Sequence, residues 1–153
     1  MEANDRVRHY VDEDIEVSYD ARRCIHAAEC VTRLPAVFDS TRRPWIVPAA
    51  GSANEIALVI SSCPSGALHF KRRDGGPSET PSEPITIVPT PGGPLYVRGS
   101  VRVRSADGLS VVEDMRMALC RCGQSHNKPF CDNSHRRAGF EDPGAISGSG
   151  MPA

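Results

Sequence analysis

The chain has 153 residues, a formal net charge of -1, 39% hydrophobic residues and only 5% aromatic ones. That length gives room for one medium domain or two small ones. The balance of 18 Lys and Arg against 19 Asp and Glu, with no long basic run, argues against nucleic acid as a partner. No stretch approaches the roughly 20 apolar residues that span a bilayer, which argues against a membrane partner. The polar opening Met1-Glu2-Ala3-Asn4-Asp5-Arg6 lacks the apolar core of a signal peptide. A soluble protein of the reducing cytoplasm is expected, with its six Cys reduced and metal-bound rather than paired in three disulfides.

In chain order, His9 lies in a loose N-terminal segment, and Ile15-Glu16-Val17-Ser18-Tyr19 alternates apolar and polar as a strand does. The strand leads into Cys24-Ile25-His26-Ala27-Ala28-Glu29-Cys30. Trp45 is most simply a core side chain. Residues 52–62 carry Ile56, Leu58, Val59 and Ile60 and predict a helix, stopped at Cys63-Pro64 because Pro64 has no N–H to donate. Ala67-Leu68-His69-Phe70 begins a closing strand, with His69 on its solvated face. Strand, Cys loop, helix, Cys-Pro and strand form the layout of a mono-cluster ferredoxin, in which distant thiols converge on one cluster.

Residues 74–84, Asp-Gly-Gly-Pro-Ser-Glu-Thr-Pro-Ser-Glu-Pro, have no large apolar side chain and read as a flexible linker. Three cysteines fall on each side of it. Beyond it, Ile85 to Val88, Leu95 to Arg98 and Val101 to Arg104 predict short strands, and Pro91-Gly92-Gly93-Pro94 a turn. Asp107-Gly108 is a hairpin signal, after which Leu109 to Val112 and Met115 to Leu119 return and deliver Cys120 to a sheet end. Residues 142–153 are rich in Gly, Ser and Pro and predict a disordered tail. The fold class expected is α+β: an N-terminal ferredoxin-like α/β module (10–73), a Pro/Gly linker (74–84) and a small mostly-β module (85–141).

Residues 120–135, Cys-Arg-Cys-Gly-Gln-Ser-His-Asn-Lys-Pro-Phe-Cys-Asp-Asn-Ser-His, place three thiols and one imidazole in a turn-rich loop. Cys120 and Cys122 can reach one metal from a strand end. Cys131 and His135, four apart, share a face if the chain enters a helical turn there. Two such pairs fit two irons bridged by sulfide, and a structural zinc would take the same atoms. Structural zinc more often uses Cys-x2–4-Cys, so a one-residue gap favours iron. His126 has no partner at ligand spacing and reads as a solvated loop residue.

This loop resembles the binding motif of the CDGSH iron–sulfur family, through Cys120, Cys122, Ser125, Pro129, Phe130, Cys131, Asp132, Ser134 and His135. The departure is Asn133 in the place of Gly, and Asn is the residue that next best tolerates positive φ. The resemblance implies a 2Fe–2S cluster on Cys120, Cys122, Cys131 and His135, and a homodimer, as for members with one such motif. Residues 10 to 71 resemble the divergent mono-cluster ferredoxins described as binding 4Fe–4S. The residues that carry this are Cys24, His26, Cys30, Leu34-Pro35, Phe38, Arg43-Pro44-Trp45-Ile46 and Cys63-Pro64-Ser65-Gly66-Ala67-Leu68. Ala27 stands where a middle Cys would ligate. Either a 3Fe–4S cluster on Cys24, Cys30 and Cys63 follows, or a 4Fe–4S cluster with an unusual fourth ligand, His26 being nearest; His26 equally suits a hydrogen bond to a cluster sulfide or a backbone carbonyl.

No Ser/His/Asp arrangement, phosphate loop or paired carboxylates suggest a stand-alone enzyme. One-electron transfer with a redox partner protein is the leading expectation. The alternative is a donor of clusters to an apo-acceptor protein, or a redox or pH sensor.

Overall fold

The structure is a computed structural model and describes residues 6–148. Two three-stranded antiparallel sheets and a few short helices make an α+β fold. The first sheet has the order β1 (Val7–Val11), β2 (Ile15–Asp20), β3 (Leu68–Arg72). Between β2 and β3 come α1 (Glu29–Arg33) and α2 (Ala53–Ser61). Helix α2 starts on a capping box: Ser52 Oγ accepts from the Glu55 N–H while the Glu55 carboxylate accepts from the Ser52 N–H. Its Ile56, Val59 and Ile60 pack with Ile15 and Val17 of β2, Leu68 of β3, and Val37, Phe38 and Ile46 of the connecting loop. A bridge between Phe38 and Ile46 closes that loop. His9 stands on β1, not in a loose segment, and its Nδ1 lies 2.8 Å from Glu16 across the β1–β2 pair.

The second sheet has the order β4 (Thr86–Pro89), β5 (Leu95–Arg104), β6 (Val111–Leu119). Strands β5 and β6 are longer than the expected fragments. Gly99-Ser100 does not break β5 but shifts its register on β6 between Arg98 and Val101. Val97 and Met117 pack with Phe130 on one face of this sheet. The opposite face carries Tyr96, Arg98, Asp114, Arg116 and Ala118 and faces the first module.

That docking is a network of buried charge. Arg116 is 3% exposed, and its guanidinium donates to the carbonyls of Ile60 (2.9 Å), Cys63 (2.7 Å) and Leu68 (2.7 Å). Arg98, its cross-strand neighbour, donates to the Ser61 carbonyl at 2.9 Å. Both arginines thereby bond carbonyls at the C-terminal end of α2, where the helix dipole also favours cations. Arg23 of the first module donates to Asp114 of β6 at 2.5 Å.

The connecting segment has no helix or strand, yet it is not the free joint that its composition suggests. Its Glu79, with a side chain 9% exposed, bonds both Arg116 and His69. His69, expected on a solvated face, has a side chain only 30% exposed and lies 3.0 Å from Asp114 through Nε2. Composition reports local propensity, and long-range ion pairs override it here. The tail expected to be disordered from Asp142 is tied at its start. Arg121 Nη1 donates to Asp142 at 2.7 Å, and the Gly92 N–H to the Asp142 carbonyl at 2.7 Å. Residues 149–153 of that expected tail, and the first five residues on which the signal-peptide reading rests, lie outside the described residues. No helix among the described residues is long and apolar enough to cross a membrane.

Candidate metal centres

Strand β6 ends at Leu119, and the chain then loops out and returns alongside its own strand. Leu119 bridges Phe130, the Cys120 N–H donates to the Pro129 carbonyl, and the Cys131 N–H donates to the Ala118 carbonyl, both at 2.8 Å. This return is what brings Cys131 beside Cys120. Asn133 takes φ of 71°, the left-handed conformation expected of it, and turns the chain into α3 (Ser134–Arg137), which carries His135. Asp132 braces the loop by accepting from the N–H groups of His126 (2.9 Å) and Ser134 (3.0 Å). His126 itself is exposed, as its lack of a spaced partner suggests.

The donors come as two pairs. Cys120 Sγ and Cys122 Sγ are 3.9 Å apart, and Cys131 Sγ is 3.5 Å from His135 Nδ1. Two ligands of one tetrahedral metal, with bonds of about 2.3 Å to sulfur and about 2.0 Å to nitrogen, stand about 3.8 Å apart for S–S and about 3.5 Å for S–N. Each pair therefore matches the bite of one metal ion. No three His, Cys, Asp or Glu side chains converge on a single point among the described residues.

Backbone N–H groups point at these sulfurs. Gln124 N–H lies 3.4 Å from Cys122 Sγ, and Asn133 N–H 3.4 Å from Cys131 Sγ. Burial raises the Cys120 thiol, but the N–H groups of Ser125 and Gly123, the Cys122 side chain and the Gln124 N–H outweigh it and hold it below the ordinary value. Cys131, 3% exposed, is pushed up by burial, with the neighbouring Cys120 and Cys122 adding to the rise.

In the first module, Cys24, Cys30 and Cys63 line one cavity of about 30 Å³. Cys24 and Cys30 also border an outer opening of about 300 Å³, with Tyr19, His26, Arg43 and Trp45. His26 thus stands on the outer side of the thiol group and is exposed. The loop holds two non-glycine residues at positive φ, His26 at 57° and Ala28 at 65°. Such backbone persists only where its surroundings impose it. Burial pushes the Cys30 thiol up to about 11; the Val31 N–H opposes this, and Cys63 and Cys24 add to it. Burial would also raise Cys63, but the Ser65 hydroxyl, the Leu68 and Ser65 N–H groups and Arg116 together hold it below its usual value. Sγ of Cys63 lies 3.4 Å from Ser65 Oγ.

All six cysteines are free thiols. Thiolates gathered in one half-buried pocket repel one another, and a cation relieves that repulsion. In both modules the donor sets fit metal-bound sulfur. Two surrounding residues carry no sequence signal of their role. Tyr19 stands against Cys24, with its hydroxyl pKa raised by burial and by a hydrogen bond with that thiol. Tyr96, one residue in an ordinary alternating strand, packs against Cys131. Ser65 was visible only as part of the Cys-Pro-Ser-Gly motif.

Residues 10–73 match the family model described as a divergent 4Fe-4S mono-cluster. Residues 92–136 match the model described as an iron-binding zinc finger of CDGSH type. The chain is similar to the uncharacterized protein YjdI of Escherichia coli strain K12 and to that of Escherichia coli O157:H7. Each is 35% identical over 66 residues, which are 43% of this chain and 87% of the relative. The chain belongs to the divergent 4Fe–4S mono-cluster family and carries a CDGSH-type iron-binding domain behind it. It is an iron–sulfur protein.

Proposed function

We propose that this protein is a one-electron carrier with two iron–sulfur clusters. Cys120, Cys122 and Cys131 as thiolates and His135 through Nδ1 would hold a 2Fe–2S cluster. Cys24, Cys30 and Cys63 would hold a second, either 3Fe–4S, or 4Fe–4S with His26 as the fourth ligand. The observation that carries the reading is the pairing of donors at 3.9 Å and 3.5 Å, each the bite of one iron. Bound clusters supply single-electron redox chemistry with little structural change.

The chain's own groups serve that chemistry. N–H groups of Gln124 and Asn133 and the Ser65 hydroxyl stabilise charge on the sulfurs, and such hydrogen bonds tune the potential. Ile25, Leu68 and Trp45 wall the first thiol group with apolar surface. The protein's partner would be a redox protein of the cytoplasm.

A second reading is cluster donation. It draws on His135, a neutral ligand that is partly exposed at the loop's edge and leaves iron more readily than a thiolate. Mixing the reduced, loaded protein with an oxidised one-electron acceptor, and separately with an apo-ferredoxin, distinguishes the two. The carrier loses electrons and keeps its iron. Iron and sulfide that move to the apo-ferredoxin while reduced protein keeps its electrons contradict the carrier reading.

A further inference from the structure

The two donor groups are not merely on the same chain; the loops that carry them hold each other. Asn133 Nδ2 donates to the carbonyl of Ile25, the residue that follows Cys24, at 2.9 Å. Asn127 Nδ2 donates to the Arg22 carbonyl at 2.9 Å, and Arg22 Nη2 returns a bond to Asn127 Oδ1 at 3.3 Å. Between these anchors, the Arg23 guanidinium lies 4.5 Å from the centre of the Phe130 ring and also donates to the Ser65 carbonyl at 2.8 Å. The Ile25 side chain, 6% exposed, packs with Cys131, Ala118 and Tyr96 in one buried cluster. Residues 22, 23 and 25 flank Cys24, and residues 127, 130 and 133 surround Cys131. The contact is therefore ligand loop against ligand loop.

The left-handed backbone at 133 would suit Gly, the residue of the motif this loop resembles. Glycine would keep φ at 71° and lose the bond to Ile25. The amide thus has a use that backbone shape alone does not explain.

We propose that Asn133 and Asn127 clamp the CDGSH loop onto the Cys24 loop, so that the two centres exchange an electron within one molecule across the Ile25–Cys131 contact. They are positioning residues, and the inference rests on the two-cluster reading above. The exchange makes and breaks no bond: one centre is oxidised by one electron and the other is reduced by one. Dithionite supplies that electron in vitro. Short apolar contact in a fixed geometry keeps solvent reorganisation small at both centres.

The test uses the loaded full-length protein and the Asn127→Ala/Asn133→Gly double variant. Asn133→Gly alone serves if the double variant fails to load. After a substoichiometric pulse of dithionite, the parent redistributes electrons between its two visible spectra at a rate independent of protein concentration, and the variant does so at least tenfold more slowly. In the fully reduced parent, paramagnetic resonance shows magnetic interaction between the two centres, weakened in the variant. Hydrogen exchange of amides 22–26 rises about tenfold in the variant. A variant with both clusters and an unchanged redistribution rate overturns the clamp, as does a parent rate proportional to protein concentration. Iron and sulfide counts separate the two failures: a parent with fewer than two clusters overturns the function reading, and this inference with it.

Discussion

Arg116 shows how much one side chain can hold. Its guanidinium meets the carbonyls of Ile60, Cys63 and Leu68 and the carboxylate of Glu79. Arg116→Met would remove one of the two cations at the buried Glu79, leaving His69, and would leave the Cys63 and Leu68 carbonyls without their side-chain donor. Breaking a buried pair from one side costs roughly 3–5 kcal/mol. Denaturant unfolding of the variant should show a loss of that order, with Arg102→Met at the exposed Arg102–Glu113 pair as a near-neutral control. His135 is the residue that sets the C-terminal site apart. In the proposed cluster, replacing a neutral imidazole by a thiolate would add negative charge beside the iron and disfavour reduction. His135→Cys should lower the reduction potential of that cluster by on the order of 100 mV in a redox titration. An unchanged potential would remove His135 from the ligand set.

At the scale of elements, the motif glycine Gly66 has a physical explanation. It has φ of 75°, and a Cβ there would come within 2.1 Å of the Arg116 carbonyl on β6. The Cys-Pro-Ser-Gly turn and β6 thus approach backbone to backbone, and Gly66→Ala should cost more than the roughly 1–3 kcal/mol of left-handed strain alone. Thermal unfolding checks it, and a variant as stable as the parent would contradict that packing.

Local patterns revealed much of this architecture. Helix α2 was legible from Ile56, Val59 and Ile60 and its stop at Pro64, and β2 and β3 from their alternation. The hairpin was legible at Asp107-Gly108. Other elements carried no such pattern. Helix α1 is five residues long and buries none of them. Strand β5 looked like two pieces because Gly99-Ser100 resembles a turn when its partner strand is unseen. His69 looked solvated because periodicity tells which residues share a face, not what covers it. For the sites, the cysteines and His135 announced themselves by type and spacing, whereas Arg23, Glu79, Tyr19 and Tyr96 acquire their roles only through partners distant in sequence.

Over the whole molecule, the two modules share an ionic core whose state depends on pH. Burial alone would lower the His69 pKa, but hydrogen bonds and charge from Asp114 and Glu79 raise it to about 9. A His whose folded value exceeds its unfolded value of about 6.5 adds stability that is fully present below that unfolded value. The contribution is lost as pH rises through about 9. Asp114 works in the opposite sense. Burial would raise it, but His69 and Arg23 lower it to about 2, so its contribution is present above its unfolded value of about 3.9 and lost as pH falls through about 2. The melting temperature should therefore fall between pH 7 and about 9.5 in the parent, and His69→Gln should flatten that fall. A parent curve with the same slope as the variant's would exclude His69 as its source.

The functional reading depends on iron and sulfide at both thiol groups. The most direct measurement is metal and acid-labile sulfide analysis of protein purified without oxygen. Two clusters predict about five or six iron atoms and about six sulfides per chain, and Cys131→Ala should remove about two of each. A colourless protein that holds zinc and no sulfide would contradict the account.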